Sequence, residues 1–225
     1  MIKTIGKTTK DILSLKVLTF IFTIGISSTL IWVIILWKFW EEFENFITSY
    51  LTWIPWDWAL DTITYIAAPL VGYTMIIITI SILTSLFSEK LLISLAKKHY
   101  PQHREIYSVP IMGSIFVTLK SIVVFIILFI ILLPLIFIPI FGQVVMLYLW
   151  SILLKEPTVY DVGGLFISDK KLLKKRNKKS TPIAMIASLF NYIPILNIFA
   201  PIYAQIMFLH HILGKSVGRV ALNPT

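Results

Sequence analysis

The sequence predicts an all-α integral membrane protein with two long transmembrane helices and two proline-broken helical hairpins that enter from the cytoplasmic side. Of its 225 residues, 57% are hydrophobic and only 14% are charged, with a mean hydropathy of +0.87. A soluble domain of this size cannot bury that much apolar surface. Four stretches lack Asp, Glu, Lys and Arg, and prolines lie near the centres of the two longest.

The uncharged stretches are 17–37, 62–88, 121–154 and 180–214. The first two have the length of one membrane-crossing helix and are assigned to transmembrane helices over 12–40 and 62–97. A straight helix over 121–154 would be roughly 51 Å long, whereas the hydrocarbon layer is about 30 Å thick. We therefore expect 121–154 and 180–214 each to fold back as a hairpin of two helices of about 15 residues, all within a single membrane domain over 1–225.

The hairpin tips are assigned to prolines, which remove backbone donors and break helices: Pro134, Pro139, Pro194 and Pro201. Hydrocarbon cannot satisfy the backbone groups that a broken helix frees, so polar partners are expected beside the tips. Four neutral side chains are candidates: Gln143, Asn191, Asn197 and Gln205. They are predicted to hold the hairpins together or, alternatively, to bind an anion together with the freed helix ends.

Lysine and arginine accumulate on the cytoplasmic side of membrane proteins, and their distribution here orients the chain. The 38–61 connection carries five acidic residues and one lysine, whereas 155–179 carries eight basic residues. We predict an external aromatic and acidic loop over 41–61, with both termini, 89–120 and 155–179 cytoplasmic. Tryptophans in WKFW and TWIPWDW are typical of an interfacial aromatic belt.

One face of the first helix combines Lys16 with Thr19 and Thr23 at helical spacing. Hydroxyls and an ammonium group suit a tetrahedral oxyanion, although the same pattern is typical of close helix packing with a lysine that reaches the headgroups. Ser88 and Lys90, at the inner end of the second helix, extend the candidate anion-binding set.

The remaining polar residues are assigned no ligand-binding or catalytic role. The run DKKLLKKRNKK over 169–179 is a basic amphipathic segment suited to an anionic membrane surface rather than to nucleic acid. His210 and His211 are adjacent, and Pro101 separates His99 from His103, so neither pair has the spacing of a metal site. We expect no metal, no cofactor and no catalytic residue, because the uncharged stretches lack intramembrane carboxylates.

The segments IPIFGQ, YDVGG at 160–164 and SLFNYIPILNIFAPIYA resemble the CysZ-type bacterial sulfate permeases, a family related to the etoposide-induced membrane proteins. The resemblance extends from about 12 to 213. It implies a homo-oligomer in the lipid bilayer of the bacterial inner membrane that takes up sulfate, or a related oxyanion, for cysteine synthesis.

The chain departs from the family pattern at three points, one of which is YDVGG, where Tyr160 and Asp161 are kept but the second aromatic is lost. The family usually has a glycine followed by a basic pair before the first span, whereas LSLKVL offers only Lys16. At the inner end of the second helix, LFSEKLL keeps Phe87 but has Leu86 and Ser88 where the family usually has proline and asparagine. A non-transporting membrane scaffold and a permease for another small solute therefore remain alternatives.

The topology can be tested by single cysteines, since the chain has none of its own. An impermeant thiol reagent added to intact cells should label Thr48→Cys and leave Leu172→Cys and Lys120→Cys unlabelled. Labelling of the last two without the first would reverse the proposed orientation.

Overall fold

A computed structural model describes residues 1–50, 56–103, 109–167 and 169–220, and every regular element in these ranges is helical. The α-helices are α1 (Ile2–Ile12), α2 (Leu15–Lys38), α3 (Trp40–Tyr50), α4 (Asp57–Phe87), α5 (Glu89–His99), α6 (Ile111–Ile136), α7 (Phe141–Gly164), α8 (Lys170–Lys178), α9 (Thr181–Ser188) and α10 (Ala200–Val220). Two 3-10 turns, Leu189–Tyr192 and Leu196–Ile198, lie between α9 and α10. The predicted all-α fold class is confirmed.

Within the described residues, three helical segments are long and apolar enough to cross a membrane: Leu15–Lys38, Pro69–Phe87 and Ile111–Ile136. Few of their side chains are buried inside the chain. Apolar side chains that the protein itself does not cover require another apolar environment, which the lipid hydrocarbon supplies. The chain is therefore a membrane protein.

The helices form two compact units, one of which is 19–86. In this unit the indole Nε1 of Trp32 donates a hydrogen bond of 2.8 Å to Thr79 Oγ1, which joins α2 to α4. A hydrogen bond between spans is favourable because lipid offers no competing partner. Trp37 and Trp58 are exposed, as expected for interfacial residues, whereas the other part of TWIPWDW, 52–55, lies outside the described residues.

The other unit contains 1–18 and 87–225, and its core is α10. Helices α1, α5, α7 and α9 all pack against α10. Nearly every α10 side chain from Ile202 to Leu213 is buried, including those of Phe208 and Leu209. The apolar stretch that predicted a membrane hairpin thus forms a protein core in its second half.

The first predicted hairpin corresponds to α6 and α7, which are longer than the arms of about 15 residues that we expected. Helix α6 has 26 residues because it begins before Lys120, which is exposed beside Glu156 and does not end the helix. Pro139 lies in the break after Ile136. Pro134, in contrast, is inside α6, where it removes one donor but leaves the helix to continue for two residues.

The second predicted hairpin has unequal arms, since α9 has 8 residues and α10 has 21. Pro194 lies in the break between the two 3-10 turns. Pro201 is the second residue of α10, where its missing N–H is not needed. Ile140 and Ile195, one in each break, have φ values of 64° and 71°, which a β-branched residue rarely adopts. Both chain reversals therefore contain a strained residue.

The basic segment forms α8, and the Asp169 carboxylate caps it by accepting a hydrogen bond of 2.8 Å from the Lys171 N–H. Leu172 and Leu173 are half-buried, and Arg176 is 8% exposed. The lysines are mostly exposed, which is consistent with the expected membrane-surface role.

The break between α6 and α7 depends on Gly142, because a Cβ there would overlap the carbonyl oxygen of Ile136. We expect Gly142→Ala to destabilise the protein by about 1–3 kcal/mol, or roughly 2–12 °C in melting temperature in detergent. Gly6→Ala is the matched control, since nothing lies within 4 Å of its added methyl group and alanine favours the helix. Equal melting temperatures for the two variants would contradict the close approach at Gly142.

Candidate functional site

Helix α1, IKTIGKTTKDI, turns one polar face toward the protein interior. Its lysines are exposed, whereas Thr8, Asp11 and Ile12 are buried against the unit that contains α10. Thr8 Oγ1 donates to the Thr4 carbonyl oxygen at 2.9 Å and so needs no distant partner. Asp11 is 1% exposed, and a buried carboxylate is costly unless other side chains compensate its charge.

Two histidines from other helices compensate Asp11. His99 Nε2, at the end of α5, is 2.8 Å from Asp11 Oδ2, and His210 Nε2, in α10, is 2.9 Å from the same oxygen. Lys98 Nζ is 3.5 Å from Oδ1. Three helices far apart in sequence therefore meet at one carboxylate, which we call the Asp–His cluster (Asp11, His99 and His210).

Tyr100 extends the cluster, since its hydroxyl is 3.0 Å from His210 Nδ1. Burial, and then the charge of Asp11, raise the pKa of Tyr100 to about 12, so the hydroxyl keeps its proton at neutral pH. Burial also raises the pKa of Asp11, but hydrogen bonds from His99 and His210, and then the charges of both rings, shift it below its ordinary value. Asp11 is therefore an ionised acceptor that the two rings solvate in place of water.

A cavity of about 420 Å³ lies beside the Asp–His cluster, between α1, α9 and α10. Its wall includes Tyr100 and His210, and Lys7 Nζ is 5.1 Å from the centre of the Tyr100 ring. The basic side chains that line it are those of Lys3, Lys7, Lys179, His210 and His211. None of the lining residues that the structure describes is acidic. We call it the cationic cavity, because this donor-rich wall favours an anion.

The sequence-predicted anion residues are distributed over both units. Lys16 belongs to the unit with α10, where its Nζ donates to Ser94 Oγ at 2.5 Å. Ser88 is 2% exposed and Lys90 is exposed in the same unit. Thr19 and Thr23 belong to the unit 19–86, and both are exposed. The role of these five residues in binding stays a prediction.

The predicted tip residues differ in burial. Gln143 and Asn191 are exposed, and Asn197 is half-buried. Gln205 is 8% exposed, and its Oε1 has no hydrogen-bond partner among the described residues. Of the four, Gln205 is thus deepest in the protein and not at a tip.

The sequence argument missed the Asp–His cluster because it compared only histidines that are neighbours in the chain. Asp11 is the one acidic residue among the first 40, and His210 is inside an uncharged apolar stretch. A lone acid on the apolar side of an amphipathic helix and a histidine in a core helix each require a partner. Together, these two signals could have paired Asp11 with His210.

An all-helical membrane protein with a cationic cavity is the class that this fold and site define. The family described as Sulfate transporter CysZ/Etoposide-induced protein 2.4 matches residues 4–201, so the chain belongs to that family, and the resemblance seen in the sequence is confirmed. The family description is that of a transporter and not of an enzyme. Among curated proteins and solved structures, no match was found.

Removal of the Asp11 carboxylate should destabilise the protein, because His210 would keep a buried ring nitrogen without its acceptor. A buried donor left without its acceptor typically costs about 1–3 kcal/mol. We expect Asp11→Ala to lower the melting temperature in detergent far more than Glu89→Ala, which removes an exposed carboxylate from α5. Similar losses for both variants would show that the Asp–His cluster does not hold the helices together.

Proposed function

We propose that the chain is an inner-membrane permease for sulfate or a related small oxyanion, with both termini in the cytoplasm, acting in sulfur assimilation as a homo-oligomer. Membership of a sulfate transporter family supports a transport function. The observation that carries the oxyanion assignment is the cationic cavity, in which basic groups converge from α1, from α10 and from Lys179 at the end of α8.

The size of the cavity fits a small ligand. Its volume of about 420 Å³ is within the range of roughly 300–1,000 Å³ typical of small-molecule sites. A sulfate ion fills only part of that space, so it would keep some of its water. The lysines are exposed, and an anion can therefore enter without displacing a packed side chain.

The chemistry of the donors indicates weak and reversible binding. Lysine presents a point charge, whereas arginine binds an oxyanion through two parallel hydrogen bonds. The cavity contains lysines and histidines, and the predicted face of α2 likewise offers the single cation Lys16. Weak binding suits a permease, which must release its substrate.

A scaffold function is the second candidate, favoured by one contact. Lys16 stands where the family usually has a basic pair, and its ammonium donates to Ser94. An ammonium group that holds two helices together needs no anion. This alternative predicts no sulfate flux.

Uptake of labelled sulfate into proteoliposomes that contain only this protein tests the proposal. At sulfate concentrations below saturation, Lys7→Ala should reduce uptake several-fold because it removes a charge from the cationic cavity. Lys16→Ala should also reduce it if the predicted face of α2 is on the path, and Lys16→Arg should preserve it. Lys174→Ala, in α8, is the matched control, since seven other basic residues of 155–179 remain.

Two results would contradict the proposal. Absence of sulfate uptake by the wild type would favour the scaffold, and equal uptake by Lys7→Ala and Lys174→Ala would exclude the cationic cavity as the binding site. If Lys16→Ala alone reduced sulfate uptake, the binding site would be assigned to α2 and not to the cationic cavity.

A further inference from the structure

We propose that the Asp–His cluster binds one divalent transition-metal ion, such as Zn²⁺, through Asp11, His99 and His210. The carboxylate oxygen and the two ring nitrogens lie within 4.8 Å of one another. One carboxylate and two imidazoles form a ligand set that zinc and similar ions accept, commonly with a further position open to water.

The ligand atoms converge on a common point. His99 Nε2 is 2.9 Å from Asp11 Oδ1 and 2.8 Å from Oδ2, and His210 Nε2 is 2.9 Å from Oδ2. A tetrahedral ion with bonds of about 2.0–2.1 Å keeps its ligand atoms roughly 3.3 Å apart. The two Asp11–histidine separations must therefore widen by about half an ångström. The two ring nitrogens, which lie within 4.8 Å of each other, must reach the same separation from each other.

Tyr100 can adapt to either state of His210. Without a metal, the Tyr100 hydroxyl donates to Nδ1, and Nε2–H donates to Asp11. With a metal on Nε2, the ring carries its proton on Nδ1 and donates it to the Tyr100 oxygen. A partner on the second nitrogen is the usual arrangement for a histidine that binds a metal, because it fixes the orientation of the ring.

Charge and access also permit an ion at this position. Lys98, the cation nearest to Asp11, has a side chain that is 59% exposed, so it can turn toward solvent when a metal takes its place. His99 is 20% exposed, which leaves a route from the surface to the otherwise buried cluster. An ion there would connect α1, α5 and α10 and stabilise the unit that they form.

Zinc binding can be measured independently of transport. Tag-free protein in detergent is stripped with EDTA, dialysed and titrated with Zn²⁺ by calorimetry, and Co²⁺ is used as a second probe because its visible spectrum reports its ligands. We expect one Zn²⁺ per chain and a higher melting temperature with the metal. Asp11→Asn and His99→Ala should each weaken binding by at least about 10-fold, the lower end of what even outer ligands contribute.

His103→Ala is the matched control, since His103 is four residues from His99 but outside the Asp–His cluster, and it should bind Zn²⁺ as the wild type does. The proposal is wrong if the wild type binds no stoichiometric Zn²⁺, or if His103→Ala loses binding as His99→Ala does. If His99→Ala fails to fold, the proposal is tested by the wild-type Zn²⁺ titration and by the Co²⁺ spectrum of Asp11→Asn, which should differ from that of the wild type. Neither result depends on sulfate uptake, so failure of the metal site and failure of the permease proposal are distinguishable.

Discussion

The Asp11 carboxylate is the interaction on which the packing of α1 depends. A buried charge is tolerated only where other groups replace the water it has lost. Here His99 Nε2 is hydrogen-bonded to Asp11 Oδ1 and His210 Nε2 to Asp11 Oδ2. Helix α1 can therefore dock against α5 and α10 in one register alone, because a shift by one residue would turn Asp11 away from both rings. Residues 11, 99 and 210 are far apart in the chain, so this single contact also closes the unit formed by 1–18 and 87–225.

The register of α1 in turn determines the electrostatics of the cationic cavity. With Asp11 held inward, Lys7 and Lys3, one and two turns earlier in α1, lie at the cavity wall. The acidic group is directed at imidazoles and does not line the cavity, so it reduces the positive field that an anion would meet less than a carboxylate on the wall would. The same short helix thus separates its charges, with the carboxylate in the core and the ammonium groups toward solvent.

Sequence reasoning predicted the fold class because composition alone excludes a soluble domain, but it misplaced several helix ends. Lys120 interrupts the uncharged pattern, yet an exposed lysine can extend from a helix without ending it, and α6 continues through Lys120. Pro134 is not a tip: α6 loses the hydrogen bond that an N–H at this position would donate to the Ile130 carbonyl, yet the helix continues to Ile136. The apolar residues of α10 were assigned to the membrane because lipid and protein interior select the same side chains; only the tertiary structure distinguishes them.

The candidate site was harder to predict, because periodicity reports which residues share a face of one helix and not which helices meet. Once the meeting of α1, α5 and α10 is known, the two proposed sites are seen to share His210 and Tyr100 as a common wall. A divalent ion bound at Asp11 would add positive charge behind that wall and strengthen anion binding in the cationic cavity. Linkage is reciprocal, so an oxyanion in the cavity must favour the metal by the same factor. The buried Asp11 carboxylate would then couple the two sites, since the metal, the imidazoles and the cavity cations would all interact with its negative charge.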